Sequence, residues 1–362
     1  DTVRHLLLQQ SRRQPLLVVV EDLHWIDRTS EDFFASLAQV VAGARILVVT
    51  TYRSGYRPPW IGRSYATQIA LQPLAPEHSG DLLRAALGGA PAAEELVRLV
   101  LAKAEGNPFF IEEMARVLRE QGSAGVAVPD TVEEVLRERM DRLPARERAL
   151  LQSAAVIGRD VPLSLLRAVA ELDDAPLREA LRTLEAGEFL YETSLVPEAE
   201  YTFKHGLTHE VAYATAPAER RTALHARIVT VLESAGAERA GDRVEWLAHH
   251  ALRGGLWEAA VRYLRRAGVR AAARSANREA VACFEQALEA LGRLPQTPQT
   301  LAQAIDLRFD LRTALLPLGE LPRILERMHE AEALAERLGD RRRLGQLSTY
   351  LTNYHFMTGD PQ

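Results

Sequence analysis

Glu21 and Asp22 follow directly on the unbroken apolar run Leu16-Leu17-Val18-Val19-Val20. A short β-branched run without alternation reads as a strand buried on both faces, as in a parallel sheet. Open parallel sheets bind ligands beyond the carboxyl ends of their strands. Two carboxylates placed there can hold Mg2+, usually through water, and orient an attacking water. An acidic pair ending a strand is common in proteins that do neither. The continuation Leu23-His24-Trp25-Ile26-Asp27 is what sharpens the reading.

Other residues with chemical potential carry less. His205 and His209 stand at i, i+4 with Glu210 after them, but a zinc site wants a third ligand and usually an acid between the histidines. His249 and His250 are adjacent, point to different faces and read as a solvated or partly packed pair. Ser11 and Ser54 have no partner pattern for nucleophilic catalysis. Glu219-Arg220-Arg221 is short and mixed in sign, a solvated helix start rather than a nucleic-acid patch. Trp246 and Trp257 fall at helix-packing spacing and read as core.

The elements that must position the acids are a strand–helix–strand unit. Arg45-Ile46-Leu47-Val48-Val49-Thr50-Thr51 is a second apolar strand, and Thr29 to Val41 between the strands reads as a helix with Ser30 as N-cap and Glu31 and Asp32 in its first turn. Such a unit carries a right-handed crossover. Thr67 to Leu71 is a weaker third strand. The pattern is helical from Pro76 to about Gln121, and residues 122–128 form a soft linker. Amphipathic helices follow at Val132–Arg142, Ala145–Ile157, Leu163–Ala170 and Ala175–Ala186. Phe189–Glu192 and Glu200–Lys204 then read as a hairpin, and helices followed by a hairpin are a winged-helix pattern. Beyond Gly241 the apolar stripe recurs at Ala251–Leu264, Arg266–Arg274, Arg278–Leu291, Leu301–Leu316, Pro322–Leu338 and Arg341–Met357. The turns Leu318-Gly319-Glu320 and Thr358-Gly359-Asp360 close helices 40 residues apart. Ala280, Phe284 and Ala287, with Gly268 upstream, match the small and aromatic packing positions of a tetratricopeptide repeat.

The bulk numbers fit this picture. The 362 residues suit two or three domains, and 47 % hydrophobic with 26 % charged residues is an ordinary globular balance. A net charge of −5 asks for neither nucleic acid nor an anionic membrane. Cys283 is the only cysteine, which excludes an internal disulfide and a cysteine zinc cage and fits the cytoplasm. No apolar run approaches the roughly 20 residues that span a bilayer. With no initiator Met and a turn at its end, the chain is expected to be an internal piece of a longer protein.

The segment Glu21-Asp22-Leu23-His24-Trp25-Ile26-Asp27 after its strand, a Walker B pattern, resembles the STAND class of signal-transduction ATPases, a branch of the AAA-like P-loop proteins. Thr50-Thr51-Tyr52-Arg53 is similar to that class's sensor strand. Glu105-Gly106-Asn107-Pro108-Phe109 resembles its Gly-x-Pro element, and Phe203-Lys204-His205-Gly206 its Met-His-Asp region. Arg274-Ser275-Ala276-Asn277-Arg278 and Ile305-Asp306-Leu307-Arg308 look like bacterial multidomain proteins with an adenylate/guanylate cyclase domain.

The resemblance implies an α/β then mostly α fold. Residues 1–75 would be the C-terminal half of a P-loop ATPase core and 76–125 a helical lid. Residues 126–238 would be a winged-helix-like domain, and 239–362 truncated TPR-like helical repeats forming an α-solenoid. It implies ATP or ADP with Mg2+ as cofactors. Glu21 would support Mg2+, through water, and Asp22 would orient or deprotonate the attacking water. Arg53 would contact the γ-phosphate, Gly106 and Pro108 would line the base, and His205 would hold the diphosphate-bound state. Two departures stand out. The acids come as Glu then Asp, so the second reaches about one methylene less far, which puts fast hydrolysis in doubt. Gly206 replaces the acid after the sensor histidine.

Gly-x4-Gly-Lys-Ser/Thr, whose backbone N–H groups and lysine grip the phosphates, occurs nowhere in the chain. The piece alone is therefore expected not to bind ATP tightly and to leave exposed sheet edges. Three functions are open at this point: a nucleotide-switched regulator whose effector is a nucleotide cyclase, a degenerate ATPase serving as a scaffold, and a piece of a LuxR-like transcription regulator. A protein partner is expected on the repeats. A membrane, or DNA read by this segment, is not expected. Assembly into a homo-oligomer is open.

Overall fold

The computed structural model describes residues 2–122, 126–194, 198–235 and 243–359. Helix α1 (Thr2–Arg13) leads into β1 (Leu16–Val20), α2 (Arg28–Val41) and β2 (Ile46–Thr50). The strands pair in parallel, Leu16 opposite Ile46 through Val20 opposite Thr50. Arg4 of α1 donates to Ser36 of α2 at 2.7 Å, so both helices lie over one face. That face holds the buried Leu37 and Ile46. The other is bare: Leu17, Val19, Leu47 and Val49 are 41–63 % exposed. The run of apolar residues led to an expectation of burial on both faces, and the structure covers one. Thr67 to Leu71 forms no strand, and Ile69 and Leu71 stand 78 % and 92 % exposed. A strand is held by a neighbour's ladder, and this segment pairs with neither β1 nor β2.

Helices α3 (Pro76–Leu87), α4 (Glu94–Ala104) and α5 (Pro108–Gln121) form the next group. Of the expected linker, residues 123–125 lie outside the described residues, while Val128 is buried. Then come α6 (Val132–Arg142), α7 (Ala145–Ile157), β3 (Asp160–Pro162), α8 (Leu163–Ala170), α9 (Asp174–Ala186), β4 (Leu190–Ser194) and β5 (Glu200–Phe203). Strand β5 lies between β3 and β4, antiparallel to both. Helix–strand–helix–helix–hairpin is the winged-helix order. The short β3, which contains a proline at the edge of its sheet, gave too little alternation to be read.

Helices α10 (Gly206–Thr215) and α11 (Ala218–Ser234) lead to the repeats, α12 (Val244–Arg253), α13 (Trp257–Ala273), α14 (Asn277–Leu291), α15 (Pro298–Leu315), α16 (Leu321–Leu338) and α17 (Arg341–Thr358). The sequence suggested helices at Ala251–Leu264 and Arg266–Arg274. Instead Gly254-Gly255 breaks the first, with Gly255 at φ +67°, and the rest is one uninterrupted α13. In α13, Gly268 lies against Phe284 of α14 so closely that a Cβ would sit 2.5 Å from the ring. Ala280 and Ala287 are fully buried beside it. Trp246 and Trp257 are half-buried against the same core. One hydrophobic core runs from Leu83 to Leu347, and the β1–α2–β2 unit does not belong to it. Among the described residues no helix is long and apolar enough to cross a membrane.

Candidate functional site

The chain leaves β1 in a turn set by its neighbour strand. Thr51 N–H donates to Val20 O at 3.0 Å, and Leu23 N–H donates to Thr51 O at 2.8 Å. Asp22 N–H donates to the Thr51 hydroxyl at 3.0 Å. These bonds hold Asp22 in the left-handed region, φ 55° and ψ 40°, which aspartate tolerates better than most side chains. Leu23, 1 % exposed, plugs the turn, while Glu21 and Asp22 face solvent. Asp27 caps α2, accepting from Ser30 N–H at 3.0 Å and from the Ser30 hydroxyl at 2.6 Å. The Ser30 hydroxyl bond is the main reason its carboxyl lies below the usual range. Ser30, expected to be the cap, is instead the donor to it.

Two ion pairs relate this strand end to the winged-helix region. Arg159, at the start of β3, lies 3.9 Å from Asp22. Arg53, just past β2, lies 3.6 Å from Glu210 of α10. All four side chains are at least a third exposed. Each pair is therefore worth about 1 kcal/mol or less, and their interest is positional. A cleft of about 520 Å³ separates Glu21 from the hairpin, with Arg159, Asp160, Tyr191, Glu200 and Thr202 on its walls.

Gly106, Pro108 and His205 meet elsewhere. Gly106 adopts φ +78°, and its carbonyl accepts from Leu74 N–H at 2.8 Å. A Cβ there would lie 2.5 Å from Leu74 O, so only glycine fits. Asn107 caps α5 by accepting from Phe109 N–H at 3.0 Å, with Pro108 at the first helical position. The Phe109 ring packs against His205, centroids 4.3 Å apart. His205 lies two residues past β5, at the N-cap position of α10. Burial first, and the Lys204 charge second, push its imidazole below the ordinary value. A neutral His205 would meet a phosphate as an N–H donor rather than as a cation. Gly206 has nothing within 4 Å of where its Cβ would be, so steric room does not explain the missing acid.

His209 turns away from His205, its Nε2 2.9 Å from Ala155 O. Among the described residues no hydrogen bond or ion pair joins Glu21 or Asp22 to Arg53, Pro108 or His205. The structure thus forms two groups, acids with cleft and Gly106-Pro108 with His205. Helix α10 has His205 at its N-cap position and carries the Arg53 partner, Glu210.

A chain of charges behind His205 was not foreseen. Glu113 of α5 pairs with Arg139 of α6, both about 95 % buried. Arg139 and Arg116 donate to Gly187 O at 2.6 and 3.2 Å. Arg116 and Lys204 both pair with Glu188. Burial alone would raise the Glu188 carboxyl, but the Arg116 and Lys204 contacts bring it down to about 2. The network therefore reaches from the helix after Pro108 to the residue before His205. Its signal in the sequence was Arg139 itself, on the apolar stripe of Val132, Val135, Leu136 and Met140.

Residues 76–128, which comprise α3 to α5 and the segment after them, match a family described only as a domain of unknown function (DUF8739). The uncharacterized protein R02095 of Rhizobium meliloti (strain 1021) is 31 % identical over 319 residues, 85 % of this chain and 30 % of that protein. The chain thus spans less than a third of that relative's length. D-ribose pyranase of Maridesulfovibrio salexigens is 29 % identical over 127 residues, 35 % of this chain and 84 % of the enzyme. The crystal structure of a signal transduction ATPase with numerous domains and a tetratricopeptide repeat sensor, from Pyrococcus horikoshii, aligns with 98 % of this chain and 55 % of its own. The TM-score is 0.49 at 13 % identity, a likeness too slight to bear on function.

Proposed function

We propose that this segment is the response half of a STAND-type, nucleotide-switched regulator. One observation carries the reading. The acids at the end of β1 and the arginine past β2 face the winged-helix region, through Asp22–Arg159 and Arg53–Glu210. A change of charge at the strand ends would be felt there directly.

The residues fit Mg2+-ATP in kind. Glu21 and Asp22 are solvent-facing carboxylates at a parallel strand's carboxyl end, able to accept from the water shell of Mg2+. The nucleotide, when bound, supplies the phosphate charge and the bond to be hydrolysed. Asp22 would orient the water, and Glu21 would support the hydrated cation. Arg53 would reach the γ-phosphate by giving up its exposed pair with Glu210, which removes one link between the β2 end and α10. His205, held against Phe109 and kept below its ordinary pKa by burial, would donate an N–H to the diphosphate state. Such a bistable contact is what a switch requires. The repeats would bind a protein partner on their surface. The effector would lie elsewhere in the longer protein, and the resemblance points to a nucleotide cyclase.

The test uses the segment joined to its native upstream sequence. Saturable Mg2+-ATP binding is expected, with turnover lost and binding kept in Asp22→Asn. His205→Ala should release ADP faster. A well-folded protein that binds no ATP would sink the switch. It would leave the scaffold reading.

A further inference from the structure

Three imidazoles meet where the winged-helix region joins the repeats. His225 lies on α11, and His249 and His250 lie on α12. One ring nitrogen from each falls within 4.8 Å of the other two. We propose that His225, His249 and His250 form a binding site for a divalent transition-metal ion of the zinc type, which staples α11 to α12.

The donor set argues for that class. Imidazole suits zinc, nickel and copper, whereas calcium and magnesium want oxygen ligands, and among the described residues no carboxylate belongs to this cluster. His225 and His250 are each 1 % exposed. Their Nδ1 atoms are 2.8 Å apart, a hydrogen-bonded spacing. Tetrahedral zinc with nitrogens at about 2.0–2.1 Å holds two of them about 3.3 Å apart. Admitting the ion therefore parts that pair by roughly half an ångström and draws in the His249 nitrogen, which lies within 4.8 Å of the other two. The second nitrogen of His225 stands 3.2 Å from the Tyr213 hydroxyl, the outer partner that a ligating histidine usually has.

His250 supplies an independent observation. Its Nε2 is buried and has no hydrogen-bond partner among the described residues. A buried polar atom left unsatisfied is unfavourable and uncommon. The His250 ring can therefore ligate through Nδ1, parted from His225, or turn to offer the unused Nε2. His249 is exposed and gives the ion a way in, with solvent for a fourth ligand. Neighbouring Arg221 and Arg253 bring positive charge, which favours an ion that binds imidazole strongly over one held by charge alone. The helices are already fixed close by. A Cβ on Gly254, just past α12, would lie 2.7 Å from Ala226 N of α11. The sequence showed only an adjacent pair on two faces, because His225 enters from another helix.

The test titrates the whole chain, freed of metal by a chelator and dialysis, with Zn2+ against a chromogenic competitor, and with Co2+ by visible absorption. One equivalent per chain is expected, with a rise in unfolding midpoint on Zn2+ addition. His249→Ala should weaken binding at least tenfold and abolish that rise, with unchanged circular dichroism because the side chain is exposed. Tyr213→Phe should weaken it about tenfold. His78→Ala, an exposed histidine on α3, should bind as the parent does. Absence of stoichiometric binding, or equal binding by His249→Ala, would overturn the proposal even if a His225 variant failed to fold.

Discussion

Replacing Arg139 by methionine should destabilise the protein by about 3–5 kcal/mol, because it leaves the Glu113 carboxylate buried without its counter-charge. Glu113 is 4 % exposed and Arg139 5 %. The substitution also removes the 2.6 Å bond to Gly187 O and the contact over the Phe189 ring, 4.6 Å from its centroid. Methionine keeps most of the stem volume, so a cavity contributes little. Burial pushes the Arg139 guanidinium below its ordinary value while Glu113 holds it up. Urea unfolding followed by far-ultraviolet circular dichroism measures the loss. With a slope of about 2 kcal/mol per molar, the midpoint should fall by about 2 M. The double variant Glu113→Leu/Arg139→Met should recover more than half of it, since an apolar pair of similar volume replaces an ion pair at little loss. Arg116 still serves Gly187 O in that variant. A single variant within about 0.5 kcal/mol of the parent would refute the burial argument. So would a double variant no more stable than the single one.

Gly268→Ala should cost up to about 2 kcal/mol, because overpacking of about 1–3 kcal/mol against Phe284 is offset only by the roughly 1 kcal/mol helix preference for alanine. Phe284→Leu in the same chain should restore part of the loss, and additive urea midpoints would contradict the contact. Glu188 gives the pH dependence. Its folded value, about 2, lies below its unfolded one, so its contribution is present above roughly pH 4.3 and fades as pH falls toward 2. The carboxyl is 41 % exposed, which limits the effect to about 1 kcal/mol. Glu188→Gln should thus be slightly less stable at pH 7 and equal to the parent near pH 2. A gap that persisted in acid would assign the loss to packing.

Helices with a clean apolar stripe and a proline or glycine at their bounds were legible by eye. The spans α6, α7 and α8 match the residues read from periodicity alone. So does β1, whose acids stand at its carboxyl end because a strand's direction is local information. Where two stripes join in phase, periodicity cannot find the joint, and Gly254-Gly255 was passed over although both residues are turn formers. The Thr67–Leu71 segment failed for the opposite reason. Its composition suits a strand, but a strand exists only where another offers hydrogen bonds.

The sequence by itself determined the strand-end acids, the helix periods and the glycine of the repeat, since each depends on residues a few positions apart. Tertiary structure alone decided that Phe109 packs on His205, that Glu113 meets Arg139, and that His225 joins His249 and His250. Residues 24 positions or more apart have no shared period to betray them. What brings them together is the packing of whole helices, which buries apolar stripes and carries these polar groups along with them.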